Sequence, residues 1–189
     1  MNLEQVFNAL TFVWLVGEVL IALLTTRRPG EGKVQDRGTQ ILLWVVIIAS
    51  FRIDGWMHDH FTPDMPGSHS WLRPVAVAVL VFGLAFRALA VFNLGKAFSA
   101  NVTLREGQQL QRSGLYAIVR HPSYLGLEII FLSFGLHSRT WVCLAVVLVL
   151  PTLALMYRIH VEEKALRAAF GAEYEDYSRT TKRLIPGIY

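Results

Sequence analysis

The stretch Tyr116-Ala117-Ile118-Val119-Arg120-His121-Pro122-Ser123-Tyr124-Leu125-Gly126 lies where a polar, basic segment meets an apolar block. Proline suits the first turn of a helix, where its missing N–H costs nothing, and it disfavours helical geometry in the preceding residue. We therefore expect a helix that begins at Pro122, with His121 as its cap. The N-terminus of such a helix favours a carboxylate or phosphate, and the rings of Tyr116 and Tyr124 can stabilise a cation such as a sulfonium. Simple anchoring of a helix end at the membrane interface is the alternative interpretation.

The composition is typical of a membrane protein. Of the 189 residues, 53% are hydrophobic and 17% are charged, and the apolar residues come in long blocks rather than in amphipathic stripes. The net charge is +4, and the sequence contains no basic stripe interleaved with stacking aromatics, so we expect no nucleic-acid partner. The single cysteine, Cys143, lies inside an apolar block, and we expect it to be a small buried residue.

Five apolar blocks approach the ~20 residues that a helix needs to cross a bilayer. We therefore expect an all-α integral membrane protein with about five transmembrane helices, the fourth of them short. The first block has no Lys or Arg before it and no small-residue cleavage site after it, so we expect a retained helix rather than a signal peptide. A charged helix that ends near Phe170 at Gly171, and a short helix from Glu173 to Arg179, should follow. The expected membrane helices run from about Val6 to Thr26, Thr39 to Met57, Leu72 to Leu94, Ser123 to Leu136 and Thr140 to Tyr157.

Basic residues concentrate in alternate loops. The loop after the first helix, the segment after the third and the C-terminal tail are rich in Lys and Arg. Residues 58–70 contain neither, and the turn between the fourth and fifth helices has only Arg139. By the positive-inside rule, we expect the N-terminus outside and the tail in the cytoplasm.

A second polar cluster, Arg158, Glu162 and Glu163, follows the fifth apolar block. Arg158 and Glu162 are four residues apart, as are Glu163 and Arg167, so each pair shares a helix face. One interpretation is a helix with surface ion pairs that contribute little to stability. The other is a binding site in which a glutamate accepts from a ligand ammonium and Arg158 faces an anionic group. Because both polar clusters are expected on the cytoplasmic side, we expect them to close on one ligand.

Together these motifs resemble the isoprenylcysteine carboxyl methyltransferase family, which is related to membrane phospholipid N-methyltransferases. The resemblance covers about Leu104 to Pro186, and the first three helices match only as hydrophobic helices. It rests on Tyr116-x-x-Val119-Arg120-His121-Pro122-Ser123-Tyr124-x-Gly126, Arg158-x-x-x-Glu162-Glu163-x-x-Leu166, Phe170-Gly171-x-Glu173-Tyr174-x-x-Tyr177 and Lys182-Arg183-Leu184-x-Pro186.

The resemblance implies an S-adenosylmethionine-dependent methyltransferase without a Rossmann domain, with S-adenosylhomocysteine as product. Residues 1–95 would supply three membrane helices. Residues 96–189 would form the catalytic part, in which the connector before the fourth helix, the helix hairpin and the tail enclose a cytosolic cofactor pocket. The implied catalytic residues are Arg158, Arg183 and Glu163, with the two arginines orienting the acceptor carboxylate. The residues implied to contact the cofactor are Gln109, Leu110 and Tyr116 on the adenosine side, Val119, Arg120, His121, Pro122 and Tyr124, and Glu162 and Glu163 at the amino acid end.

The expected acceptor is lipophilic and reaches the site from the membrane. The carboxyl group of an isoprenylated cysteine is the first expectation by resemblance, followed by a phospholipid headgroup amine and a small thiol. A carboxylate needs no base because it is ionised at neutral pH, whereas an amine or thiol needs a glutamate or His121 to remove its proton. A non-enzymatic membrane carrier or assembly module is the alternative from another class, but such a module has no need for these charged residues. The oligomeric state remains open.

Several ionisable residues fall within or near the apolar blocks, where charges tend to pair or to mark function. Glu18 and Arg87 could be partners across the first and third helices. Glu128 shares a helix face with Tyr124, so it either lines an acceptor tunnel or forms a buried ion pair. Arg52 and Asp54 lie near the outer end of the second helix, where they can reach the aqueous surface.

Two further patterns carry less weight. The series His58, Asp59, His60, Asp64 and His69 suggests a metal site, but we expect an exposed outer loop and no bound metal. The glycosylation sequon 101–103 is expected in the cytosol, where it would stay unmodified.

Overall fold

The computed structural model describes residues 2–26, 33–36, 38–60, 65, 71–95, 102–104 and 109–189. Helices make up most of this part of the chain, and two short strands pair in an antiparallel ribbon. The elements are α1 (Leu3–Thr26), β1 (Lys33–Asp36), α2 (Gly38–His60), α3 (Leu72–Leu94), β2 (Val102–Leu104), a 3₁₀ helix (Gly114–Ala117), α4 (Pro122–Ser138), α5 (Trp141–Phe170) and α6 (Ala172–Thr180).

The prediction of a helical membrane protein is confirmed. Within the described ranges, α1, α2, α3 and α5 are long and apolar enough to cross a membrane. The α4 helix has 17 residues and spans about 25 Å, so it is short for a crossing, as expected. The β1–β2 ribbon was not predicted, because strands of four and three residues leave no readable alternation in the sequence.

The boundaries of the last three helices follow local chemistry. Pro122 occupies the first position of α4 with His121 as the cap residue, as predicted. The fifth membrane helix and the charged helix after it form one continuous helix, α5, because no helix-breaking residue separates them. Gly171 ends α5 with a positive φ of 52°, and its N–H donates to the carbonyl of Arg167 at 2.9 Å.

Helix packing places α4 at the centre of the bundle. The α3 helix lies against α4, α2 lies against α5, α4 contacts α5, and α1 packs on α3. Gly126 permits the close approach of α3 and α4, because a Cβ at this position would lie 2.7 Å from the Cβ of Arg87. The outward helix faces carry exposed apolar side chains such as Phe12, Phe82, Phe92 and Leu153. This distribution of apolar surface suits a multi-pass protein surrounded by lipid.

A buried ion pair links α1 and α3, which confirms the expected partnership of Glu18 and Arg87. The Nε and Nη2 atoms of Arg87 lie 2.5 and 2.7 Å from the two carboxylate oxygens of Glu18. Trp14 also donates to Glu18 at 3.2 Å. The Nη1 atom of Arg87 donates to both the carbonyl and the hydroxyl of Ser123, each at 2.9 Å. The pair therefore fixes the first turn of α4 against two other helices.

Candidate active site

The C-terminal tail folds back on the segment that precedes α4. The N–H of Arg120 donates to the carbonyl of Lys182 at 2.7 Å, and the N–H of His121 donates to the carbonyl of Arg183 at 2.9 Å. Val119 and Lys182 form a parallel bridge at the same place. The structure thus brings the C-terminal tail and the connector together at the start of α4.

Side chains from α6 extend this contact between tail and connector. The Tyr177 hydroxyl donates to the carbonyl of Tyr116 at 2.6 Å. Burial raises the pKa of Tyr177 to about 12, so this hydroxyl keeps its proton and remains a donor at neutral pH. Arg112 donates to the carbonyl of Glu173 at 2.9 Å and pairs with its carboxylate at 2.7 Å. These bonds hold α6 over the connector.

Glu163 lies at the centre of a group of charged side chains that we call the Glu163 cluster: Glu163, Arg120, His121, Arg167 and Arg183. The carboxylate is completely buried, with 0% of the side chain exposed. Its Oε1 accepts from Nε and Nη2 of Arg120 at 3.0 and 2.8 Å. Its Oε2 accepts from Nε and Nη2 of Arg183 at 3.1 and 2.9 Å, and Nη2 of Arg167 lies 3.6 Å away.

This cluster joins three segments of the chain. Arg120 comes from the connector, Arg183 from the tail and Glu163 from α5. Arg120 also donates to the carbonyls of Ser178 and Thr181 in the tail. The hydrogen bonds to the carboxylate raise the pKa of Arg183. The interpretation of a solvated surface ion pair is wrong for Glu163, since its charge is buried and neutralised by guanidinium groups.

A second series of polar contacts, the Tyr124 chain, runs through Thr39, Arg158, Tyr124 and Glu162. The Nε of Arg158 donates to the Tyr124 hydroxyl at 2.8 Å, and that hydroxyl donates to Oε2 of Glu162 at 2.8 Å. The Nη1 of Arg158 donates to the Thr39 hydroxyl at 3.1 Å. The expected link between Arg158 and Glu162 therefore passes through a tyrosine. The side chain of Glu162 is 29% exposed, in contrast to that of Glu163.

His121 lies between the two networks. Its Nε2 is 3.4 Å from Oε1 of Glu163, and its Nδ1 is 3.8 Å from Oε2 of Glu162. Its ring stacks on that of Tyr124, with centroids 5.6 Å apart and planes 14° apart. The imidazole is buried, so its orientation is set by α4 and by both glutamates.

Other predicted site residues border these networks. Val119 and Pro122 are buried at the start of α4, and Tyr116 is buried with its hydroxyl 3.4 Å from the carbonyl of Ala90. Gln109 is exposed and Leu110 is half-buried, at the point where the described connector begins. The backbone from Val119 to Pro122 therefore lies beside the polar networks. Gln109 and Leu110 are the first described residues of the connector.

The surroundings of Arg183 and Glu128 differ from those that their implied roles require. Arg158 and Arg183 do not share a partner in the described structure, since Arg183 contacts Glu163 and the hydroxyl of Tyr189 at 3.2 Å. Glu128 accepts from the Thr152 hydroxyl at 2.9 Å, and its other oxygen is buried without a partner among the described residues. A hydroxyl thus takes the place of the cation that the ion-pair interpretation required for Glu128.

Sequence reasoning missed Thr39 and Tyr189. Thr39 meets Arg158 across 119 residues of chain, and a single threonine at a helix start carries no signal of such a contact. The contact of Tyr189 with Arg183 spans six residues at the end of the tail and likewise has no motif. Both residues restrain an arginine that the sequence did identify.

Part of the sequence predictions lies outside the described residues. The positions of Asp64 and His69 are not described, nor are the side chains of His58 and Asp59. The described His60 has its Nδ1 2.8 Å from the carbonyl of Trp56. The expectation of an exposed outer loop without a bound metal, and the placement of most basic residues of the first loop, therefore stay predictions.

Residues 76–168 match the sequence profile of the isoprenylcysteine carboxyl methyltransferase (ICMT) family. Protein-S-isoprenylcysteine O-methyltransferase of Tribolium castaneum is 25% identical over 147 residues, which cover 77% of this chain and 52% of that protein. Protein-S-isoprenylcysteine O-methyltransferase B of Arabidopsis thaliana is 26% identical over 126 residues, which cover 64% of this chain and 62% of that protein. The chain thus spans between half and two thirds of the length of these relatives.

The fold also resembles a solved structure, that of a eukaryotic intramembrane Ras methyltransferase, ICMT. The TM-score is 0.71 with 22% sequence identity, and the match covers 98% of this chain and 68% of that one. At this level of identity the similarity concerns the architecture of the helices.

Proposed function

We propose that the chain is a member of the isoprenylcysteine carboxyl methyltransferase family and, with it, an S-adenosylmethionine-dependent O-methyltransferase. The proposed acceptor is the carboxyl group of an isoprenylated cysteine or a similar lipophilic molecule. The observation that carries the proposal is the Tyr124 chain together with His121. Tyr124 and Glu162, 38 positions apart in sequence, are hydrogen-bonded there at one end of the membrane helices. The side chain of Glu162 is still partly exposed.

The described side chains fit the donor that this reaction needs. S-adenosylmethionine, when bound, supplies a methyl group that its positive sulfur has already activated for transfer. Glu162 offers a partly exposed carboxylate for the ammonium of the donor, and the rings of His121 and Tyr124 offer faces for a sulfonium. We assign the adenosine side to Gln109, Leu110 and Tyr116, and further contacts to the backbone from Val119 to Pro122.

Arg158 is the residue we assign to the acceptor. Its guanidinium is held by the Tyr124 hydroxyl on one side and by Thr39 on the other, at the inner end of the α5 membrane segment. A carboxylate acceptor is ionised at neutral pH, so the protein has to orient it and exclude water rather than remove a proton. A fixed guanidinium suits this task because it binds a carboxylate with directed hydrogen bonds.

For Glu163, Arg120 and Arg183, the contacts support a positioning role. Each guanidinium points at the buried carboxylate, and together they close the tail over the connector. We propose that Glu163 and the arginines around it form the floor of the pocket, while the Tyr124 chain and His121 contact the ligands. Residues 96–189 then form the catalytic part, on three membrane helices from residues 1–95.

We further propose that the N-terminus lies outside and that the tail and the site face the cytoplasm. The support is the concentration of Lys and Arg in the tail and connector. In this orientation a water-soluble donor reaches the pocket from the cytoplasm, while a lipid-borne acceptor approaches along the membrane.

Two measurements on the purified full chain test the proposal. Calorimetric titration with S-adenosylhomocysteine should give saturable binding to one site, and Asp176→Asn, an exposed position on α6, should bind like the wild type. Transfer of a labelled methyl group should then occur to a farnesylcysteine analogue and not to phosphatidylethanolamine. Folded protein that gives no heat would contradict the methyltransferase assignment, and methylation of phosphatidylethanolamine alone would replace the acceptor.

A further inference from the structure

A cavity lies at the opposite end of the bundle from the candidate active site. Its volume is about 590 Å³, within the usual range of about 300–1,000 Å³ for small-molecule pockets. The N-terminal half of α1, the C-terminal part of α2, the start of α3 and the end of α4 line it. Because α4 starts at the active site and ends at this cavity, the two are separated by the length of that helix, about 25 Å.

Aromatic side chains form the walls of the cavity. The Phe7 ring stacks on the His137 ring, with centroids 3.9 Å apart and planes 5° apart. Phe134 packs edge-on against Phe7 and Phe51 at 5.4 and 4.9 Å, and Trp14 lies 5.5 Å from Phe134. These contacts connect α1, α2 and α4, so the shape of the cavity is fixed by packing.

Two polar atoms in the lining of this cavity have no hydrogen-bond partner among the described residues. Oδ1 of Asp54 and Nδ1 of His137 are buried and have no hydrogen-bond partner in the described part of the chain. Leaving such groups unpaired away from water costs free energy, so native proteins usually pair them with protein, water or ligand. Arg73 and Arg139 line the same cavity, and so does Glu4. A ligand with a cationic donor for the carboxylates and an anionic group for the arginines would match these charges.

We propose that this cavity binds the phosphoethanolamine headgroup of a membrane phospholipid. The phosphate would face Arg73 and Arg139, and the ammonium would donate to Asp54. A choline headgroup has no N–H to donate to Asp54, and a glycerol headgroup has no positive charge. Inorganic phosphate would bring a second negative charge towards Asp54. Ethanolamine therefore matches the lining better than choline, glycerol or inorganic phosphate.

The position of the cavity supports a lipid as the source of this headgroup. It lies at the ends of membrane helices, at the level where headgroups are found. The α1 helix packs mainly on α3 and α2 mainly on α5, and the cavity lies between α1 and α2. Exposed apolar residues such as Val19 and Ile48 follow on these helices towards the membrane centre, where acyl chains would lie. The bound lipid is distinct from the methyl acceptor, which belongs to the other end of α4.

Native mass spectrometry of the purified full chain in detergent tests this site. The added lipids are phosphatidylethanolamine, phosphatidylcholine and phosphatidylglycerol with identical acyl chains. We expect one phosphatidylethanolamine to bind about tenfold more tightly than either of the others. Soluble phosphoethanolamine should compete only at much higher concentration, since it has no acyl chains. Equal binding of the three lipids, or tighter binding of the soluble compound, would overturn the proposal.

Three variants connect binding to the cavity. Asp54→Asn should abolish the preference for ethanolamine, and Arg73→Gln should weaken binding of all three lipids. The matched control is Arg52→Gln, because Arg52 is exposed near the same end of α2 and does not line the cavity. A cooperative thermal melt of the lipid-free Asp54→Asn protein, close to that of the wild type, shows that the variant folds. Unchanged lipid preference in a folded Asp54→Asn protein contradicts the assignment.

Discussion

Glu162 and Glu163 are adjacent in sequence, yet the structure gives them opposite surroundings. Successive residues of a helix point about 100° apart, so α5 presents them to different parts of the molecule. Glu163 is completely buried, and both of its oxygens accept from arginine, whereas the side chain of Glu162 is 29% exposed and its recorded hydrogen bond comes from a tyrosine hydroxyl. The difference indicates that an acidic pair in a motif can divide its work: Glu163 holds three segments of the chain together, and we propose that Glu162 faces the ligand.

The largest effect is expected from Glu163→Gln. The change leaves the guanidiniums of Arg120 and Arg183 without a counter-charge in a buried place, which typically costs about 3–5 kcal/mol. We expect a large drop in the melting temperature in detergent and loss of the contact between tail and connector. If the variant instead melts like the wild type but no longer binds S-adenosylhomocysteine, then Glu163 contacts the cofactor and the contrast with Glu162 disappears.

The complementary change, Glu162→Gln, should affect binding and leave stability almost unchanged. Its carboxylate is partly exposed, so the folded protein can tolerate an amide there. We expect affinity for S-adenosylhomocysteine to fall by about tenfold or more, because a charge-assisted hydrogen bond to the ligand ammonium is lost. Calorimetry measures this loss, and Asp176→Asn on the exposed face of α6 serves as control. Wild-type affinity in Glu162→Gln would remove this residue from the site.

A smaller effect is expected from Tyr124→Phe, which keeps the ring but removes the hydroxyl between Arg158 and Glu162. Arg158 then has one restraint fewer, so methyl transfer should fall by about tenfold while binding of S-adenosylhomocysteine changes less. Tyr157→Phe is the matched control, because Tyr157 is an exposed tyrosine on α5. An equal loss of activity in both variants would indicate that the hydroxyl of Tyr124 has no particular role.

The smallest effect is expected from Tyr177→Phe, which removes one hydrogen bond between α6 and the connector. The free energy of unfolding should fall by about 1–2 kcal/mol at neutral pH. The pKa of this phenol is raised from 10.0 to about 12, so the folded state holds its proton more tightly than the unfolded state does. Wild-type stability should therefore decline more between pH 10 and pH 12 than that of the variant, and thermal melts across this range measure the difference. Parallel curves for the two proteins would contradict the assignment.

Local rules accounted for the parts of the molecule that depend on neighbouring residues. Pro122 and Gly171 predicted a helix start and a helix end, because their backbone preferences act without help from the rest of the fold. The Glu18–Arg87 pair was also foreseeable, since a charge inside an apolar helix has few possible partners. Membrane helices were the easiest to predict, because their length and polarity are set by the bilayer.

Tertiary contacts account for what the sequence left open. The burial of Glu163 depends on the tail, and nothing in the order of residues says that Arg183 returns to α5 rather than facing the acceptor. Thr39 and the cavity around Asp54 arise from helix packing between segments distant in the chain. The motif therefore identified residues that the fold brings together, while the contacts of each one required the three-dimensional arrangement.

The return of the tail to the connector has a consequence for biosynthesis. Arg120 is bonded to the carbonyl of Thr181, a residue synthesised 61 positions later. At about 5–20 residues per second, a ribosome needs about 3–12 seconds to make that interval. During this time Arg120 lacks the carbonyl oxygens of Ser178 and Thr181 that it contacts in the complete fold. The contact between tail and connector is thus among the last parts of the protein to form, and a nascent chain stalled before α6 carries the complete histidine–proline motif without the backbone that covers it.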